Sequence, residues 1–101
     1  MKIYEHLKLE KIRQPAEAEE LSFAVYALHN KEAGKIYIGQ TRDLENRIIL
    51  HNTHMFKGYT SRFRGEWKII FTQFFSTRQE ALIREKQLKS FRGREFIRTK
   101  I

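Results

Sequence analysis

The chain has no cysteine, a single proline, few glycines and no long apolar run, and each shortage closes off a class of protein. Without cysteine there is no disulfide framework, no thiolate zinc site and no cysteine nucleophile, so stability must come from packing alone. Nothing approaches the roughly 18 uninterrupted apolar residues of a membrane span. The start, Met1-Lys2-Ile3-Tyr4-Glu5-His6, lacks the apolar stretch of a secretory signal. A soluble, cytoplasmic protein with no membrane contact is expected. No repeat or Gly/Ser linker divides the 101 residues, a length that suits one domain with a modest core.

Positive charge is what the chain has in quantity: Lys+Arg 20 against Asp+Glu 12, a formal net charge of +8. Such an excess favours a polyanionic partner, because each Lys or Arg docked on a phosphate releases condensed counterions. The acids Glu17, Glu19 and Glu20 gather near the N-terminus. Arg84, Lys86, Lys89, Arg92, Arg94, Arg98 and Lys100 crowd the other end, against only Glu85 and Glu95. A second basic group, Lys57, Arg62, Arg64 and Lys68, is interleaved with Phe56, Tyr59, Phe63 and Trp67. Cations beside aromatic faces suit a phosphate backbone with exposed bases, although Phe63 and Trp67 read rather as core.

Residues 1–13 have no clean period, and 1–21 read as an N-terminal extension of unassigned form, with Pro15 opening a short helix over 16–21. Ser22 to His29 carries apolar groups on both faces, the pattern of a central strand. Residues 30–34 supply a turn, and Lys35 to Gln40 returns as the second strand of a hairpin. Setting Lys31 across from Gly34 pairs Tyr26 with Gly39 and Leu28 with Tyr37. Both tyrosines then share one face, and Gly39 leaves a notch beside Tyr26 through which another molecule can approach. A slip of one residue would part the tyrosines. A helix comes next, N-capped by Thr41 or Asp43 and running to about Asn52, with Leu44, Ile48, His51 and Met55 in one stripe. Arg47 lies on its shoulder, one turn before His51. After a basic, aromatic loop over 53–66, Trp67 to Phe75 reads as a third strand. Thr77 and Glu80 form a capping box for a helix through about Ser90, with Ala81, Leu82 and Leu88 on its apolar side and Glu85 between them. A last basic helical piece covers Arg94 to Arg98. The order β-β-α-β-α-α predicts an α+β domain over 22–98, a small three-stranded antiparallel sheet flanked by helices, with a tail at 99–101.

Glu85 points toward the sheet, and a buried lone carboxylate demands a cation or hydrogen bonds. A salt bridge to Arg47 or to a lysine meets that demand. So does a hard divalent cation such as Mg²⁺, which takes one or two carboxylates and completes its shell with waters and phosphate oxygens. Arg47 offers a planar fork for two phosphate oxygens, or a partner for Glu85 or Glu45. His51 can accept a proton, hydrogen-bond a tyrosine hydroxyl or fill the core. Tyr26 and Tyr37 fit a sheet face as packing residues. Convergence on a single phosphate is what would join these groups into a site.

Together these residues resemble the GIY-YIG nucleases. "AVY", ending at Tyr26, stands in place of the first tripeptide without its leading glycine, and "YIG", Tyr37-Ile38-Gly39, is the second intact. "LENRIILH", Leu44 to His51, matches the family's helix motif, and "EALIREKQLKSF", Glu80 to Phe91, contains the later acidic position. The likeness covers residues 22–98. It implies cleavage of phosphodiester bonds with one divalent ion, Mg²⁺ or Mn²⁺, held by Glu85. Arg47 would bind the scissile or adjacent phosphate, and Tyr26 and Tyr37 would bracket the attacking water, one of them as general base. A phenol is a poor base at neutral pH unless His51, a cation or metal-bound water assists it. Contacts to nucleic acid would come from Gly39, Gln40, Lys57, Arg62, Arg64, Lys86, Lys89, Arg92 and Arg94. Two departures stand out. Gln40 replaces a lysine found in some members, which leaves cationic help to His51 or Lys35. "EFIRTKI" lacks an asparagine common near the end of the domain, a place that Thr99 or Arg98 would take. The expected activity is a metal-dependent endonuclease on DNA, structure-directed or weakly sequence-specific. The competing readings are a catalytically silent module binding DNA or RNA, and a nuclease subunit whose specificity comes from a partner protein or a second copy.

Overall fold

The computed structural model describes residues 21–55 and 58–101. Nearly all of the expected N-terminal extension, with its Pro15 helix, and the pair Phe56 and Lys57 lie outside the described residues. Strands Phe23–Asn30 (β1), Lys35–Thr41 (β2) and Trp67–Phe75 (β3) form one antiparallel sheet in the order β2-β1-β3. The strand with apolar groups on both faces is the middle one, because only there are both faces covered. Tyr26 pairs with Gly39 and Leu28 with Tyr37, as the turn residues predict. Asn30, fully buried, fixes that turn. Its side chain accepts from Ala33 N–H at 2.9 Å and donates to Arg64 O at 2.8 Å, while its own carbonyl accepts from Gly34 N–H at 2.8 Å. One side chain thus ties the hairpin to the loop that leads into β3.

Helices Leu44–Asn52 (α1), Arg78–Lys89 (α2) and Phe91–Arg98 (α3) complete the domain. Val25, Ala27 and Ile38 pack against Ala81 and Leu88 of α2 and Ile97 of α3 on one face of the sheet. Ala24, Tyr26 and Leu28 pack with Leu44 of α1 and with Trp67 on the other. Both N-cap candidates of α1 act in series: Asp43 accepts from Asn46 N–H at 3.2 Å, and Thr41 Oγ1 accepts from Asp43 N–H at 3.1 Å. At the far end of α1, Asn52 clasps the backbone of Trp67 through bonds of 2.7 and 3.1 Å. This sets the height of the last helical turn, and of His51 in it, above the sheet.

Thr77 caps α2 by accepting from Glu80 N–H at 3.1 Å, while the Glu80 carboxylate accepts from Ser76 Oγ at 3.3 Å instead of closing the box on Thr77. Ser90 ends α2 and caps α3, its hydroxyl accepting from Gly93 N–H at 3.1 Å. The third helix therefore begins at Phe91, earlier than the expected Arg94. Two apolar assignments fail. Met55, 68% exposed, lies beyond the last turn of α1, and Leu82, 43% exposed, sits one helical step of about 100° off the Ala81–Leu88 stripe. The 53–66 loop contains a 3-10 turn, Tyr59–Arg62. Among the described residues no helix is long and apolar enough to cross a membrane.

Candidate active site

Residues paired directly across two antiparallel strands point to the same side, so the observed register sends Tyr26 and Tyr37 toward α1. Their rings are 6.1 Å apart and inclined by 43°. The notch expected at Gly39 is not open. A Cβ there would stand 2.9 Å from the Tyr26 hydroxyl oxygen and 2.9 Å from Tyr37 Cε2, so the space is filled by the phenols themselves. Gly39 is buried beneath them and offers no surface to a nucleic acid. It is needed because the Tyr26 ring crosses directly over its backbone.

The asparagine clasp brings His51 down onto this pair. Its Nε2 lies 3.0 Å from the Tyr26 hydroxyl oxygen, and its ring centroid is 4.8 Å from that of Tyr37. On the other side of the ring, Nδ1 lies 2.8 Å from Thr60 Oγ1. Tyr26, His51 and Thr60 are all fully buried. Sealing an imidazole away from water disfavours its cation, and the Arg47 guanidinium adds repulsion, so His51 is pulled down from 6.5 to about 4. Burial likewise pushes the Tyr26 phenol up, with Tyr37 reinforcing the shift and the charge and hydrogen bond of Arg47 opposing it. The hairpin and α1 therefore bring together Tyr26, Tyr37, Arg47 and His51, with Tyr37 and Arg47 half-buried above a sealed pair. Tyr26 and His51 are thus closed to solvent, and of the four only Tyr37 and Arg47 reach it.

Glu85 belongs to the opposite layer. It shares a stripe of α2 with buried Ala81 and Leu88, its side chain is 17% exposed, and its Oε2 meets Lys89 Nζ at 2.9 Å. A lysine is thus one answer to the demand its burial makes. Gln40 lies on that same face of β2, and its buried Oε1 has no hydrogen-bond partner among the described residues. No group of three His, Cys, Asp or Glu that could hold a metal occurs among the described residues. One carboxylate and one unpaired amide oxygen are hard donors. They fit a lightly held Mg²⁺ or Mn²⁺ that takes its other ligands from water and phosphate, and they do not fit a closed protein cage.

The remaining cations lie outside this centre. Arg62, Arg64, Lys86, Lys89 and Arg92 are exposed, and Lys57 falls outside the described residues. Arg94 is half-buried in a cleft of about 260 Å³ that also draws on Lys35 and Arg98 and on the exposed ring of Tyr59. Phe63 is partly buried and Trp67 almost wholly, so the aromatics of this region belong mainly to the core. Sequence reasoning missed Thr60. A hydroxyl in a loop of mixed character carries no periodicity, and only the fold reveals what it faces.

The chain matches the family described as the GIY-YIG catalytic domain over residues 22–96. It is 36% identical over 67 residues to a UPF0213 protein of Staphylococcus saprophyticus, an alignment covering 66% of this chain and 79% of that one. To a UPF0213 protein of Clostridium perfringens it is 40% identical over 65 residues, covering 64% and 68%. Among solved structures, the solution NMR structure of a UPF0213 protein from Bacillus halodurans is 33% identical, covers 76% of this chain and 82% of that one, and superposes with a TM-score of 0.46. Since the catalytic-domain match takes in both tyrosines, the Arg47 and His51 helix and Glu85, the chain belongs to the GIY-YIG family, whose domain implies nuclease-type chemistry on nucleic acid.

Proposed function

We propose that this protein is a divalent-metal-dependent endonuclease that hydrolyses phosphodiester bonds in DNA, directed by structure or weakly by sequence. The observation that carries the reading is the Tyr26–His51 pair, sealed at 3.0 Å beneath a half-buried Tyr37 and beside Arg47. Four polar groups of this kind need no such convergence for packing. Arg47 binds the phosphate through its fork. Tyr37, the phenol that reaches solvent, faces the attacking water, and Tyr26 with His51 takes up the proton behind it. Phosphate on Arg47 offsets the charge that helps hold His51 down, so the substrate itself raises the basicity of the imidazole. Glu85 would hold Mg²⁺ or Mn²⁺, with Gln40 Oε1 as a second hard oxygen on the same face. An ion bound there would supply Lewis-acid stabilisation only to a phosphate that spans the outer edge of β2, because Glu85 and Gln40 lie on the sheet face opposite Arg47 and Tyr37. The exposed arginines and lysines contact the backbone, which positions a duplex without reading much of its sequence.

The test is incubation with linear, nicked, branched and single-stranded DNA in Mg²⁺ or Mn²⁺, beside chelator, Tyr37→Phe, Arg47→Ala and Glu85→Gln controls. Cleavage should vanish with chelator and fall by about 10²-fold or more in Glu85→Gln, while binding persists. Cutting that survives both would place the chemistry elsewhere. Salt-sensitive binding with no cutting of any form would leave only a nucleic-acid-binding module.

A further inference from the structure

The sealed pair has a third member that the hydrolytic scheme leaves unused. Thr60 stands in the 3-10 turn, fully buried, with its hydroxyl oxygen 2.8 Å from His51 Nδ1. A neutral imidazole has one N–H and one lone pair, and the partner of each nitrogen decides what the other presents. A threonine hydroxyl can donate or accept, so the decision is made at the far side of the ring. There the Tyr26 hydroxyl is hydrogen-bonded both to Arg47, which can only donate, and to Tyr37, whose hydroxyl can donate or accept. Of the two acceptors open to the Tyr26 proton, the phenol oxygen of Tyr37 and the lone pair of Nε2 at 3.0 Å, the imidazole nitrogen is the stronger, so the proton is best placed there. That leaves the ring hydrogen on Nδ1 and makes Thr60 its acceptor.

We infer that Thr60 is a positioning residue: by accepting the Nδ1–H of His51 it holds the imidazole in the tautomer whose Nε2 takes the Tyr26 proton during phosphodiester hydrolysis. The catalytic consequence rests on the nuclease reading, whereas the tautomer does not. Because His51 is held to about 4, the imidazolium is absent near neutral pH and only the two neutral tautomers compete. Thr60 also stands in the loop that presents the exposed Arg62 and Arg64, so the residue that sets the ring is next to a cationic segment of the surface.

Nitrogen-15 NMR of the labelled full-length protein reads the tautomer directly, with the His51 signals assigned against His51→Gln. The wild type should show hydrogen on Nδ1. Thr60→Val keeps the shape and removes the acceptor; it should move the ring toward the Nε2–H form or a mixture. It should also lower kcat by about 10- to 100-fold with KM within about twofold, while Thr60→Ser restores both readouts. Hydrogen on Nε2 in the wild type, or a Thr60→Val protein that keeps its tautomer and its kcat, overturns the inference. If the wild type cuts no DNA form, the nuclease reading fails alone and the tautomer decides the place of Thr60. The wild-type measurement stands even if Thr60→Val does not fold.

Discussion

A histidine sealed between two hydroxyls makes this protein sensitive to acid. Folded His51 resists protonation until about 4, whereas in the unfolded chain it takes a proton near 6.5. The unfolded state therefore binds more protons between those values. Stability is intact above about 6.5 and declines as pH falls through the window to about 4, by about 3 kcal/mol in all. Urea titrations at stepped pH should show this slope, and it should flatten in His51→Gln. A flat wild-type profile would mean that water reaches the ring. At this scale the sequence was legible in part. Turn residues and alternation were enough to put Tyr26 opposite Gly39, because a strand has only two faces. They could not tell whether the space over a glycine is empty or occupied, since that depends on the direction taken by a ring from the neighbouring strand. Thr60 was invisible for a related reason: its partner lies nine residues back, across a loop with no period.

Among the elements, the corner between α2 and α3 is the tightest. A Cβ on Gly93 would fall 2.2 Å from Gln87 O and 2.5 Å from Leu88 Cα, which are backbone atoms that no rotamer change can move. Gly93→Ala should therefore destabilise the protein by about 3 kcal/mol, a thermal-unfolding shift of roughly 10–20 °C, although alanine is the better helix former. An unchanged Tm would show that the corner can open without cost. The same close approach explains why the start of α3 was misplaced. Glycine in a short basic stretch reads as a helix breaker, but here it lets two helices come together, and Ser90 caps the second of them. Caps and strands elsewhere were plain in the sequence because Asp43, Thr77 and the apolar run of β1 act locally. Leu82 and Met55 were misread because stripe edges and helix ends depend on packing from outside the segment.

For the molecule as a whole, charge and layering divide the work. Neither Tyr26 nor Tyr37 lines the cleft that holds Lys35, Arg94 and Arg98, so its cations should serve binding and not turnover. Replacing these three with glutamine should weaken duplex binding on every sequence. The slope of log K against log salt should become shallower by about 0.9 for each phosphate no longer neutralised, with kcat at saturating DNA retained. An unaltered slope would put the duplex on another face. The layers carry a further consequence. Tyr26 stands on the middle strand, hydrogen-bonded along both sides, whereas Tyr37 stands on an outer strand of the sheet that the described residues form. Margins fray before interiors do, and amide exchange follows that order. If a ligand meets Tyr37 as proposed, the protein can breathe there while Tyr26 stays on the better-held strand, so adaptability at the surface need not loosen the pair beneath it.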